Sequence, residues 1–232
     1  MRRRELSLQL ACAAWLGSLA GQSRAGLLTQ GDAASALRIT LERGANVAVD
    51  LLARVDGFLG NPKVRIELPG NLNDVAKWLA VIGQQRRVDE LVTAMNRAAE
   101  AAVPKARRLL ISAVKGLSVQ DAQQIITGGE NSVTAFFAEK TRAPLGQEFL
   151  PIVTQATEKV SLAEKYNQVA SKAASLGMLD SRDANIQEYV TGKALDGLYF
   201  MIGEEERRIR QDPAATGVAL LKKVFGAMKP QN

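Results

Sequence analysis

The chain reads as an all-α, single-domain bundle of many helices, several of them long and broken by proline, with one short extended segment near residues 63–68. Three observations lead there. Apolar residues recur at spacings of three and four along most of the chain, as a helix with one buried face requires. Prolines interrupt several of those runs, and no alternating pattern takes over behind them. The stretch that does alternate is confined between Pro62 and Pro69.

At the start, Arg2-Arg3-Arg4 leads into the apolar run Leu6 to Leu16 and then into small residues. A basic cap, a short apolar core and small-x-small sites are the build of a secretory signal peptide. A membrane anchor would need about 20 apolar residues. Ser18-Leu19-Ala20 and Ser23-Arg24-Ala25 both suit a signal peptidase, and the second leaves a polar stretch of ordinary length behind the apolar core. Residues 1–25 are therefore expected to be cleaved and 26–232 to form one helical domain. Ser7 stands where a twin-arginine signal needs a second bulky apolar residue, and Gln9-Leu10-Ala11 before Cys12 is a poor lipobox. General secretion to the periplasm is expected, without lipidation and with no transmembrane segment after signal removal.

Losing the leader alters the charge. Arg2, Arg3, Arg4, Arg24 and Glu5 go with it, so the net charge falls from +6 to +3. Nucleic-acid binding concentrates Lys and Arg on one face, whereas here both signs are interspersed, and Arg86-Arg87 and Lys105, Arg107, Arg108 read as solvated helix faces. No nucleic-acid partner is expected. Cys12, the single cysteine, leaves with the leader, and histidine is absent throughout. A Ser-His-Asp triad, a Cys-His pair and a His or Cys metal site are thereby excluded. Any catalysis falls to carboxylates, Lys, Tyr, Ser or Thr, and any metal would be a hard cation on oxygen ligands. No cofactor and no metal site is expected.

Taken in order, the first distinctive element is the alternation of Val64, Ile66 and Leu68 with Lys63, Arg65 and Glu67, which predicts extended backbone. Two readings fit it. It is either a strand whose free backbone groups pair with a second copy or another protein, giving a homodimer or partner contact, or a tether laid across the helices. Val88, Leu91, Val92, Met95, Ala99, Ala102 and Val103 then mark one helix face, which Pro104 interrupts before a restart toward Lys115. Ser118 with Asp121 resembles a capping box opening a helix that Gly128-Gly129 closes through a left-handed residue.

A shorter helix is expected around Phe136 and Phe137, and another from Pro144, with Pro151 as a break and continuation past Tyr166 toward Leu176. Gly177 to Arg182 reads as a turn. Ile186, Tyr189, Val190, Ala194, Leu198, Met201 and Ile202 form the most apolar helix, expected at the centre of the bundle. Asp212-Pro213 supplies a cap and first-turn proline for a terminal helix bearing Val218, Leu221, Val224, Phe225 and Met228.

Five of these stretches carry a resemblance: Val64-Arg65-Ile66-Glu67-Leu68-Pro69, Met95-Asn96-Arg97-Ala98-Ala99-Glu100, Asp121-Ala122 with Ile125, Phe149-Leu150-Pro151-Ile152-Val153, and Gly203 through Pro213. In order and spacing the chain resembles the bacterial exported family catalogued as domain of unknown function 4197, over roughly Ala33 to Gly226. Ser132-Val133-Thr134-Ala135-Phe136-Phe137 departs from it, since the family tends to carry Ala-Ala-Thr and an aromatic pair that includes Tyr. The resemblance implies export and a helical fold, and it brings no activity.

The candidate binding residues are Asn96, Arg97, Glu100, Asp121, Glu205 and Arg210, with Val64, Ile66 and Leu68 as the candidate partner strand. Asn96, Arg97 and Glu100 share one turn of an Ala-rich helix, where close approach of a neighbour would make their head groups line a junction. A capping or ion-pair network is the simpler reading of such a set. Glu204 with Arg208 and Glu206 with Arg210 have the favourable acid-first spacing of a surface ladder. If Glu100 and Glu205 met in a cleft, they could bind a cation or act as an acid and base, since paired glycosidase carboxylates stand roughly 5 to 9.5 Å apart. Gly128-Gly129 follows no strand and belongs to no phosphate motif. Two functional classes result. One is a non-catalytic envelope module that binds an apolar ligand or an envelope protein. The other is a carboxylate-dependent hydrolase of an envelope polymer, with Glu100, Asp121 and the Glu204 to Glu206 cluster supplying the carboxylates.

Overall fold

The computed structural model describes residues 30–69, 85–175, 177 and 184–212. The leader, Lys222 and Lys223 with the expected terminal helix, and most of the turn after Gly177 lie outside the described residues. Helix α1 (Gln30–Ala53) is followed by turns through residue 64, where the Val64 and Arg65 amides donate to the Asn61 carbonyl, and then by irregular backbone over 65–69. The stretch expected to be extended, 63–68, thus begins in a turn and forms no strand. Then come α2 (Gln85–Ala102), a 3-10 turn (Val103–Lys105), α3 (Ala106–Lys115) and α4 (Val119–Thr127). Helices α5 (Ser132–Thr157), α6 (Ser161–Ser175) and α7 (Ile186–Gln211) complete the order. The fold is an all-helical bundle. None of the helices among the described residues is long and apolar enough to cross a membrane.

Helix α7 is the hub, packed against α1, α2, α5 and α6. Its buried face runs from Ile186 through Val190, Ala194, Leu198 and Ile202 and continues into Glu205 and Glu206. Asn185 opens it, its side-chain oxygen accepting from the amides of Gln187 and Glu188, the bonds an N-cap makes to otherwise unpaired donors. On α2, Val88, Leu91, Val92, Met95, Ala98, Ala99 and Ala102 are buried. Pro104 forces the predicted interruption as a single 3-10 turn, after which α3 restarts at Ala106.

Helix α5 corrects the expectation of a short helix, a break and a long continuation. It runs unbroken through Pro144 and Pro151 and stops at Thr157, before a separate α6. The reason is tertiary. Val133, Phe137, Thr141, Leu145, Phe149, Val153 and Thr157 are all buried and follow one another at intervals of four, a continuous seam against the bundle. Each proline removes a hydrogen bond to the carbonyl four residues earlier. Those carbonyls belong to Lys140 and Gln147, both exposed, where water can satisfy them. Burial of the seam outweighs the bonds lost.

Capping of α4 is as read. Ser118 Oγ accepts from the Asp121 amide, and the Asp121 carboxylate accepts from the Ser118 amide and hydroxyl. The Ser118 hydroxyl, and after it the Ser118 amide, hold the Asp121 carboxyl below its usual range. Such a group stabilises the fold above its unfolded value and loses that contribution as pH falls through its folded value. Ser118→Ala should cost about 1 kcal/mol near neutral pH. In urea titrations the gap to the parent protein should narrow under acid conditions; a gap constant with pH would contradict the assignment. The closing end differs from expectation: Gly128 is extended (φ −74°, ψ 166°) rather than left-handed. Glycine is needed there for space, because a Cβ would stand 2.6 Å from both the Gln124 carbonyl oxygen and the Ser132 Cβ.

A second close approach lies at the hub. A Cβ on Gly197 would stand 2.7 Å from Phe58 Cε1 and 3.3 Å from Val64 Cβ. Phe58 is fully buried, so its ring cannot swing into solvent to make room. Gly197→Ala should therefore destabilise by about 1–3 kcal/mol, despite the better helix propensity of alanine. An unchanged urea midpoint would show that the ring has room to move.

Candidate functional site

Most of the candidate polar residues hold backbone in place. Following α1, the chain turns through Asp56, a non-glycine residue at φ 65°, and enters Phe58 and Leu59. Glu100, on α2, receives the amides of both through Oε1, at 3.0 and 3.1 Å. Its Oε2 accepts from Arg97 at 2.6 Å, and Arg97 also donates to Asp56 at 2.8 Å. Bonding to Glu100, then to Asp56, raises the Arg97 pKa above its ordinary value. The group fastens the end of α1 to α2.

Asn96 fastens the segment expected to be extended. Its Oδ1 accepts from the Ile66 amide and its Nδ2 donates to the Ile66 carbonyl, both at 2.8 Å, with a further bond of 2.8 Å to the Val92 carbonyl. A side-chain amide here does what a neighbouring strand would do. Tyr189 adds a bond to the Glu67 carbonyl at 2.8 Å. Val64, Ile66 and Leu68 are buried in the protein's own core, and the segment forms no ladder among the described residues. Of the two readings, this is the geometry of a tether across the helices.

At the other end of α7, Glu206 is surrounded by donors. Its carboxylate accepts from the Val133 and Thr134 amides at 3.1 Å each and from Thr134 Oγ1 at 3.2 Å. Arg210 donates to Glu206 at 2.9 Å, to Ser132 Oγ at 2.6 Å and to the Ile125 carbonyl at 3.1 Å. One acid-base pair thus joins the end of α4 and the start of α5 to α7. The Glu206 side chain is only 1% exposed and that of Arg210 18%, so the expected surface ladder is an interior clamp. Glu204 pairs with Lys63 and Arg207, and Arg208 pairs with Glu205, three residues before it. Glu206 stands outside the candidate binding residues and enters the sequence reading only as a ladder partner of Arg210 and within the Glu204 to Glu206 cluster of the hydrolase alternative. Its signal was present: it follows Ile202 by four residues and so continues the buried face of α7.

Asp121 is committed to its capping box. Glu100 and Glu205 share no partner among the described residues and have different surroundings, the first at Phe58 and the second beside Gly44 on α1. No group of three or more His, Cys, Asp or Glu side chains that could hold a metal ion is found among the described residues.

Two concavities are lined by described residues alone. Between α1, α5 and α7 lies a cavity of about 20 Å³, bordered by Leu37, Leu41, Phe137, Ile202 and Glu205, room for about one water. The other is an open groove of about 750 Å³ between the start of α3 and the middle of α5. Pro104, Lys105 and Arg108 form one wall, and Gln147, Glu148, Pro151 and Ile152 the other. Its volume lies within the range of recognition clefts, roughly 300–1,000 Å³.

Fold and sites together define a class: an all-helical bundle whose buried polar side chains brace its own turns and helix ends, with a groove open at the surface between α3 and α5. The chain belongs to the family described as Protein of unknown function (DUF4197), which it matches over residues 27–226. Comparison with curated proteins and with solved structures finds no match.

Proposed function

We propose that the protein is a non-catalytic interaction module of the cell envelope, exported to the periplasm, that docks another envelope protein on its surface. The observation that carries this is the open groove between α3 and α5 beside a core whose cavity holds about one water. The cavity between α1, α5 and α7 is too small for an apolar ligand of ordinary size. Glu100, Asp121 and Glu206 are engaged by backbone amides, an arrangement suited to bracing rather than proton transfer to a substrate. Export is supported by the basic, apolar and small-residue order of residues 1–25.

The test is native mass spectrometry of residues 26–232, purified gently from the envelope fraction after mild crosslinking. A protein-sized added mass is the expected result. A lipid-sized mass that leaves on denaturation would replace docking with ligand carriage. A bare chain that hydrolyses envelope polymer, with the activity lost in Glu100→Gln, would restore the hydrolase reading.

A further inference from the structure

We infer that the groove between Pro104 and Pro151 receives an extended, acidic segment of the partner protein, its carboxylate set between Lys105 and Arg108. The inference rests on the docking function proposed above and adds the chemistry of what is docked.

Charge comes first. The groove carries two cations against one acid, Glu148. Lys105 is exposed and pairs with no acid among the described residues. Arg108 is bonded to Glu148, but the Arg108 side chain is 76% exposed, and an ion pair so open to water contributes little. An incoming carboxylate can take up Lys105 and share Arg108 at small cost, whereas an incoming cation would meet Lys105 unopposed. Opposite charge at such a rim selects the partner and speeds its encounter.

Backbone chemistry comes second. Pro151 has no N–H, so it cannot supply the helical hydrogen bond to the Gln147 carbonyl, and Gln147 lines the groove. An acceptor without its helical donor is free to take a water or the amide of an incoming chain. Length agrees with this. The wall from Gln147 to Ile152 spans about 7.5 Å at 1.5 Å per residue, the length of about two residues of extended chain. Ile152 and Pro151 give an apolar side chain of that segment a surface to cover.

The experiment places a photoreactive p-benzoylphenylalanine at position 147 of the full chain, in cells that export it, and maps what it captures by mass spectrometry. A second probe at Ile39, an exposed position on α1 outside the groove, serves as the comparison. The position-147 probe is expected to capture a protein segment containing Asp or Glu, and the product should be lost in Lys105→Glu/Arg108→Glu. Should that variant fold poorly by thermal melt, Lys105→Gln/Arg108→Gln is expected to reduce capture several-fold. Capture that persists in both variants, a captured segment that is basic, or a captured lipid overturns the inference. Capture at position 39 with none at 147 overturns it as well, yet leaves the docking function standing. No protein captured at either position removes both.

Discussion

Glu206→Gln is expected to destabilise the protein by about 3–5 kcal/mol, the range for removing one member of a buried ion pair. The substitution keeps the size of the side chain and changes only what it offers. In the parent protein both carboxylate oxygens accept, one from the Val133 amide and Arg210, the other from the Thr134 amide and hydroxyl. A glutamine must turn its NH2 toward one of those sets, where donor faces donor. Arg210, 18% exposed at its side chain, then keeps its charge without its acid. The measurement is urea unfolding of Glu206→Gln, Arg210→Met and the double variant. Because the two residues share Ser132 and each other as partners, the double variant should lose less than the two singles together. A loss below about 1 kcal/mol for Glu206→Gln would place the pair with ordinary surface contacts.

Asn96→Ala should have the second large effect, about 2–5 kcal/mol. Its cause is two buried backbone groups left unpaired, each costing about 1–3 kcal/mol. The Ile66 amide and carbonyl are both bonded to this one side chain. The residue is fully buried, so water cannot take its place without opening the packing of Val64, Ile66 and Leu68. Asn96→Asp is a sharper variant, since it retains the acceptor for the Ile66 amide and sets a carboxylate oxygen against the Ile66 carbonyl. Hydrogen exchange gives the local reading. The Ile66 amide should be slow in the parent protein and fast in Asn96→Ala, while amides of α7 change less. Equal protection of Ile66 in both would remove the tether from the argument.

The distribution of these clamps explains what the sequence disclosed. Elements set by local chemistry were legible: the apolar face of α2, the 3-10 interruption at Pro104, the capping box of α4 and the hub position of α7. Each depends on residues within a turn or two of one another. The continuous α5 was not legible, because its two prolines are local signals for a stop, and the buried seam that overrides them exists only once α2, α3, α4 and α7 are packed around it. The fate of the segment expected to be extended depended in the same way on a residue 30 positions away. Alternation told which side chains of that segment face inward, and nothing in it named Asn96 as the group that satisfies the backbone. Of the candidate residues on α2, Arg97 and Glu100 pair with each other, while Asn96 bonds separately to Ile66 and Val92. The partners of Arg97 and Glu100 at Phe58, Leu59 and Asp56 were not legible, since contacts 41 or 42 residues apart leave no periodic trace.

A helix that touches four others is also the last of the described helices to be made. Helix α7, Ile186–Gln211, supplies contacts to α1, α2, α5 and α6, and its acids and arginines anchor turns laid down some 70–140 residues earlier. A chain emerging N-terminus first holds those earlier helices as faces without a centre. Those helices already pack on one another, α2 on α5 and α1 on α3, but the apolar residues that face α7 stay uncovered until it arrives. Closure of long-range contacts is the slow part of folding. Synthesis order therefore leaves the contacts of α7 with the earlier helices, among the longest in sequence, to close only after Ile186–Gln211 has been made.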